Sequence, residues 1–140
     1  MRILFLDDSK ERQRVFQQNT IGHVVAFAST ADEAIELLQA DAFDQIWLDH
    51  DLEYFYVKGE PRVKTGRDVV RHIVENVDRH QHSTFVIHTL NPDGGKCMAH
   101  DLRRAGLSGY GRIWRKPFAW QEKEFIESII RLTSPSHPQA

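Results

Sequence analysis

The sequence predicts an α/β fold: one five-stranded parallel sheet with helices packed on both faces. Three observations lead there. Short apolar runs alternate with segments whose apolar residues recur at helical spacing. Helix-capping residues open the segments between the runs. The runs end in clusters of polar and charged residues instead of turning back tightly, as strands that return through a helix must do. In a sheet of this kind ligands bind outside the carboxyl ends of the strands, near the point where strand order reverses.

In order along the chain, ILFL (Ile3 to Leu6) is the first strand and ends at Asp7-Asp8. Ser9 caps a helix through KERQRVFQQN, with Val15 and Phe16 facing inward. HVVAFA (His23 to Ala28) is the second strand. TADE (Thr30 to Glu33) has capping-box spacing and opens a helix carrying Ala34, Ile35, Leu37 and Leu38. QIWL is the third strand, and TGRD (Thr65 to Asp68) starts a helix with Val69, Val70, Ile73, Val74 and Val77 on one face. TFVIH (Thr84 to His88) is the fourth strand. Asp93 starts a helix through Leu102 that Gly106 stops. YGRIW (Tyr110 to Trp114) is the fifth strand, followed by a helix from Ala119 to Leu132. The final TSPSHPQA carries two prolines and no apolar cluster, which predicts a disordered tail. The expected organisation is one domain over residues 1–132, with residues 53–64 inserted over the carboxyl edge of the sheet and 133–140 as the tail.

Composition narrows the function classes. The chain has 140 residues, long enough for a real core, with ordinary hydrophobic (41%) and charged (27%) fractions. A net charge of −2 argues against a general DNA-binding surface. The single cysteine, Cys97, excludes an intrachain disulfide, and with no reactive-cysteine pattern around it reads as a packed thiol. MRILFLDD is too short an apolar stretch for a signal peptide or membrane span, so a cytoplasmic protein without membrane contact is expected.

Five motifs occur in order. They are LDD at Leu6 to Asp8, FDQIWLD ending at Asp49, GRDVVRHI at Gly66 to Ile73, Thr89 after the fourth strand, and AGLSGY (Ala105 to Tyr110) with KPF (Lys116 to Phe118). With these the chain resembles the receiver domains of bacterial response regulators from Met1 to Leu132. The resemblance implies a flavodoxin-like three-layer α/β/α sandwich with strand order 2-1-3-4-5, and puts Asp49 at the phospho-accepting position. The chain departs from that pattern in HDL after Asp49, in the long EYFYVKGEPRVK (Glu53 to Lys64), in HTLNP after the fourth strand, and in extra residues before KPF. LDHDL, the TG helix start and HxxNP together resemble the divergent branch called the cyclic-phosphate processing receiver domain. That likeness implies an enzyme acting on cyclic phosphates of RNA ends or nucleotides.

The chemistry of the residues supports such a pocket. Three carboxylates, Asp7, Asp8 and Asp49, converge at one sheet edge and repel one another, which a bound Mg²⁺ or Mn²⁺ would relieve. Lys116 and Thr89, joined by Asn91, are expected to hold phosphate. His50 and His88 are the acid/base candidates, since free imidazole titrates near pH ~6.5. Strand parity opposes them, setting His88 against Thr89, and His50 against Asp49 and Asp51, unless the strand ends twist. Either histidine can instead pack under the sheet. Asp51 is read as orienting His50 or binding metal. His72 is expected on the surface, and His80 and His82 on a solvated turn. In residues 53–64, either Tyr54, Phe55 and Tyr56 stack on a base while Lys58, Arg62 and Lys64 hold phosphates, or a hairpin around KGEP packs its aromatics on the domain. NPDGGK is either a phosphate-binding helix start or a plain turn. The rival function is a stand-alone receiver phosphorylated on Asp49 by a histidine kinase and signalling through a protein partner. A third reading is a degenerate receiver that only binds a partner.

Overall fold

The computed structural model describes residues 1–52, 55–57, 60–62, 64–89, 91–107 and 111–114, with the backbone alone for 55–57, 60–62 and 111–114. Its strands are β1 (Arg2–Leu6), β2 (Val24–Ala28), β3 (Gln45–Leu48), β4 (Phe55–Val57), β5 (Glu60–Arg62), β6 (Thr84–His88) and β7 (Gly111–Trp114). The helices are α1 (Lys10–Gln18), α2 (Ala31–Ala40), α3 (Gly66–Glu75) and α4 (Pro92–Arg104), with a 3-10 turn at Val77–His80. Five strands form one parallel sheet in the order β2-β1-β3-β6-β7. This is the expected 2-1-3-4-5 order, because β4 and β5 form a separate antiparallel hairpin outside the main sheet. In the hairpin Val57 pairs with Glu60 and Phe55 with Arg62. The helix expected over Ala119 to Leu132 falls outside the described residues, as does the tail.

Period-two alternation divides the core. Leu4, Leu6, Ile46, Leu48, Phe85 and Ile87 face α2, α3 and α4, while Ile3, Phe5, Trp47 and Val86 pack with Phe16 of α1. β3 is buried along its whole length, as a central parallel strand must be. Burying a side chain the size of Phe5, Phe16 or Trp47 contributes roughly 1.5–3 kcal/mol each, enough to fix which face each strand presents.

Caps set the helix boundaries. Ser9 accepts from Arg12 N and Thr30 from Glu33 N. The Thr30 box is incomplete: the Glu33 carboxylate accepts from Ser29 N instead. Thr65 and Asp68 form the full reciprocal box. The start of α4 differs from expectation. Asn91, not Asp93, is the cap, because Pro92 suits the first helical position and the Asn91 side chain accepts from Gly94 N. Gly106, at φ +83°, closes α4 in a Schellman turn, with Leu107 N donating to Leu102 O and Gly106 N to Arg103 O.

Two smaller expectations are overturned. Cys97 is exposed, because Gly94, Met98 and Leu102 form the inward stripe of α4 and Cys97 falls off it. His80 is buried, because the 3-10 turn tucks its ring under the chain as Ser83 N bonds back to His80 O. Neither ring nitrogen of His80 has a hydrogen-bond partner among the described residues, and burial pushes its pKa down to about 4. Among the described residues, no helix is long and apolar enough to cross a membrane.

Candidate active site

Strand register builds the site. β1 and β3 pair Leu6 with Leu48, and β3 and β6 pair Leu48 with Ile87. The next row therefore sets Asp7, Asp49 and His88 side by side on the face covered by α1. The strand order reverses at β1, so this row lies at the switch point where ligands of such sheets bind. Oxygens of Asp7, Asp8 and Asp49 lie within 4.8 Å of one another.

The electrostatics of the cluster would favour a bound cation. Burial, then the neighbouring Asp7 charge, pushes the Asp49 pKa up to about 8. Asp8 is also raised, by burial first and by Asp7 next. Both carboxyls are short of positive charge, and an all-oxygen donor set suits a hard divalent ion. Asp7, Asp8 and Asp49 thus fit the expected Mg²⁺ or Mn²⁺.

One cation of the chain already reaches in, and it is a residue that the motifs did not single out. Arg12 Nε donates to Asp7 Oδ2 at 2.7 Å and Nη2 to Asp7 Oδ1 at 3.0 Å, the two-pronged geometry of a strong charge-assisted pair. Arg12 Nη2 also stands 3.9 Å from Asp8 Oδ1 and from Asp49 Oδ2. Ser9 N completes the hold on Asp7 Oδ1 at 2.8 Å, and Gln13 donates to the Asp7 carbonyl. A signal existed: Arg12 lies in the first turn of α1, where the helix dipole disfavours a cation without an acidic partner.

His88 belongs to this face but not to its surface. It is 2% exposed and stacks on Phe5 at 4.9 Å, with its Nδ1 3.6 Å from Asp7 Oδ2. Burial first, then the Arg12 charge, lowers its pKa to about 3, against the backbone of Leu6 and Trp47, which favours a proton on the ring. His88 is therefore a neutral ring beneath Asp7 near neutral pH.

His50 projects over α4. Its ring lies so close on Gly94 that a Cβ there would fall 2.5 Å from His50 Cγ. Nδ1 lies 2.7 Å from Asp51 Oδ1, and Asn91 Nδ2 donates to that same oxygen at 3.3 Å. A carboxylate accepts only, so Nδ1 carries a proton, and in the neutral ring the lone pair is on Nε2. These hydrogen bonds, His50's first, hold the Asp51 pKa down. Asn91 thus uses its carbonyl to cap α4 and one of its two amide N–H groups to hold Asp51. Thr89 Oγ1 accepts from Asn91 N, and its methyl would meet a Cβ on Gly95. The two halves are neighbours: the Asp51 charge reaches Asp8, and His50 N donates to Asp49 Oδ1.

The structure thus brings Asp7, Asp8 and Asp49 together, and separately His50, Asp51, Thr89 and Asn91. It sets His50 and His88 on opposite faces. Lys116 lies outside the described residues, as do the side chains of Tyr54, Phe55, Tyr56, Lys58 and Arg62. Lys64, a phosphate contact in one of the two readings of residues 53–64, pairs with Asp32 at the start of α2.

Comparison with known proteins agrees with this architecture. The chemotaxis response regulator CheY4 of Vibrio cholerae aligns with a TM-score of 0.67 and 20% identity, covering 94% of this chain and 97% of that one. A CheY-like receiver domain protein from Methanospirillum hungatei gives 0.59 and 16%, with coverages of 96% and 97%. A response regulator from Burkholderia pseudomallei, whose structure holds a phosphorylated aspartic acid, a calcium ion and citrate, gives 0.57 and 18%, with coverages of 96% and 75%. These likenesses show the fold. No curated protein sequence matches significantly. Residues 2–104 match the cyclic-phosphate processing receiver domain, a span that contains both halves of the site except Lys116. The chain belongs to the cyclic-phosphate processing receiver domain family.

Proposed function

We propose that the protein is a metal-dependent phosphodiesterase that opens the cyclic phosphate of an RNA end or nucleotide. The observation that carries this reading is the chain Asn91–Asp51–His50, which fixes the His50 tautomer beside an acid cluster suited to a divalent ion. A phospho-accepting pocket has no use for an oriented imidazole, whereas hydrolysis of a diester needs a group that moves a proton.

In the proposed reaction His50 Nε2 takes a proton from water as the water oxygen bonds to phosphorus. The ring P–O bond breaks, and the proton on His50 passes to the departing sugar oxygen, so water adds across the bond. Asp51 holds Nδ1–H and stabilises the imidazolium between the two transfers. A divalent ion on the acid cluster, when bound, supplies charge stabilisation to the phosphoryl oxygens. Thr89 Oγ1, already held by Asn91 N, has its own proton to donate to a phosphoryl oxygen, and Lys116 supplies a positive charge. His88 shields and backs Asp7, a positioning role.

The test is turnover of 2′,3′- and 3′,5′-cyclic nucleotides with Mn²⁺, read by chromatography, in wild type and His50→Ala. Wild type should yield a monoester, and His50→Ala should be slower by about 10²–10⁴-fold, the usual worth of acid/base catalysis. Equal rates in the two proteins would remove His50 from the mechanism.

A further inference from the structure

Arg12 is the strongest feature that this mechanism leaves unused. Asp7 is fully buried, and both its oxygens are engaged: Oδ2 by Arg12 Nε, Oδ1 by Arg12 Nη2 and Ser9 N. A metal ion on Asp7 would therefore have to compete with that fork. Asp49 Oδ1 is engaged by His50 N, which leaves Asp49 Oδ2 and the partly exposed Asp8 as the remaining carboxylate oxygens of the cluster. Arg12 Nη2 stands 3.9 Å from an oxygen of each, too far to hydrogen-bond and close enough to share their field. Its side chain is 32% exposed, so Arg12 is partly open to solvent beside the acid cluster.

A divalent ion on Asp8 and Asp49 would face the Arg12 charge across a few ångströms. Two cations confronting each other in one pocket are mutually repulsive unless an anion lies between them. The charges agree: three carboxylates are offset by one guanidinium and one divalent ion, leaving no surplus acid to reject a phosphate.

We propose that Arg12 divides the acid cluster, reserving Asp7 for itself, leaving Asp8 and Asp49 to the divalent ion, and holding a phosphate oxygen of the substrate with the outer edge of its guanidinium. This rests on the phosphoester reading above, yet its signature needs no turnover. Releasing Asp7 adds a metal ligand, while losing the guanidinium removes a phosphate donor, so the two affinities move in opposite directions.

The experiment measures Mn²⁺ binding by electron paramagnetic resonance of the free ion, and inorganic phosphate binding to the Mg²⁺-loaded protein by calorimetry, in wild type, Arg12→Gln and Arg12→Lys. Arg12→Gln should bind Mn²⁺ about tenfold more tightly and phosphate about tenfold more weakly, the scale of one charge-assisted contact. Arg12→Lys keeps the charge but loses the fork, so it should shift both affinities the same way by less. It also carries the test if Arg12→Gln does not fold. Tighter Mn²⁺ binding in the glutamine variant alone would reduce Arg12 to a distant charge, and unchanged phosphate binding in both variants would overturn the proposal. Opposite shifts in a protein that hydrolyses no cyclic phosphate would uphold Arg12 and refute the catalytic reading instead.

Discussion

His50 and His88 end adjacent strands yet meet different fates, and the difference is one of register. Along a single strand the alternation of faces is readable from sequence, and it correctly sets His50 apart from Asp49 and His88 apart from Thr89, but it fails for Asp51, which meets His50 Nδ1 at 2.7 Å beyond the end of β3. Which residue of one strand lies beside which of the next is not readable, because pairing across a parallel sheet depends on crossovers far apart in the chain. Once Leu6, Leu48 and Ile87 share a row, Asp7, Asp49 and His88 must share the next one. The two histidines should therefore separate experimentally. His88→Ala empties a buried site stacked on Phe5 and should cost roughly 2–4 kcal/mol in urea unfolding. His50→Ala removes a mostly buried ring packed on Gly94, so it should cost roughly 1–2 kcal/mol while removing activity. The acidic triad was legible because three carboxylates gathered at the ends of two strands need a cation to hold them together. Arg12 was half legible: its place in the first turn of α1 calls for an acidic partner, but nothing in the sequence marks which acid it reaches.

Helix starts hold the site. α3 begins against the end of β3: Gly66 N donates to His50 O, and a Cβ at Gly66 would fall 1.9 Å from the Asp49 carbonyl oxygen. Backbone cannot yield as a side-chain tip can, so Gly66→Ala should destabilise by about 3 kcal/mol or more, measured by chemical denaturation. At α4 the cap and the chemistry can be separated. Asn91→Asp keeps a capping oxygen for Gly94 N, so stability should hold within about 0.5 kcal/mol. The same change removes the amide that supports Asp51 and sets a second carboxylate beside it, so turnover should fall at least about tenfold. Loss of stability without loss of turnover would mean that Asn91 serves the helix alone. The elements themselves were largely legible from capping residues and apolar period. The shift of the α4 cap from Asp93 to Asn91 shows the limit: two capping residues flank Pro92, and the choice turns on proline preferring the first helical position. The sequence left residues 53–64 open between a hairpin and a base-stacking loop, and within them β4 and β5 pair antiparallel with Val57 opposite Glu60.

At the scale of the whole molecule, the buried titratable groups set an expected pH profile for the metal-free protein. His80 and His88 have folded pKa values lowered to about 4 and about 3 from 6.5, so below pH 6.5 the unfolded chain binds protons that the native state refuses. Their effect is a loss of stability as pH falls. Asp49 works oppositely: raised from 3.8 to about 8, it keeps a proton in the native state that the unfolded chain has released. Its contribution is complete at low pH and is lost as pH rises toward 8, and the raised Asp8 acts in the same sense. The two histidines outweigh the one aspartate below pH 6.5, and above it Asp49 acts with little opposition. Melting in chelator should therefore peak near pH 6.5 and decline toward 8, by roughly 2–4 °C for each kcal/mol lost. Mg²⁺ or Asp49→Asn should flatten the upper limb, and an upper limb unchanged by both would remove Asp49 as its cause. Whether this receiver-type sheet opens cyclic phosphates is decided by phosphorus NMR of the Mg²⁺-loaded wild-type protein with a mixture of 2′,3′- and 3′,5′-cyclic nucleotides. One cyclic resonance should be replaced by that of a single monoester, whose identity gives the regiochemistry. Unchanged cyclic resonances, together with phosphorylation of Asp49 on addition of acetyl phosphate, would contradict the enzymatic reading and establish a signalling receiver.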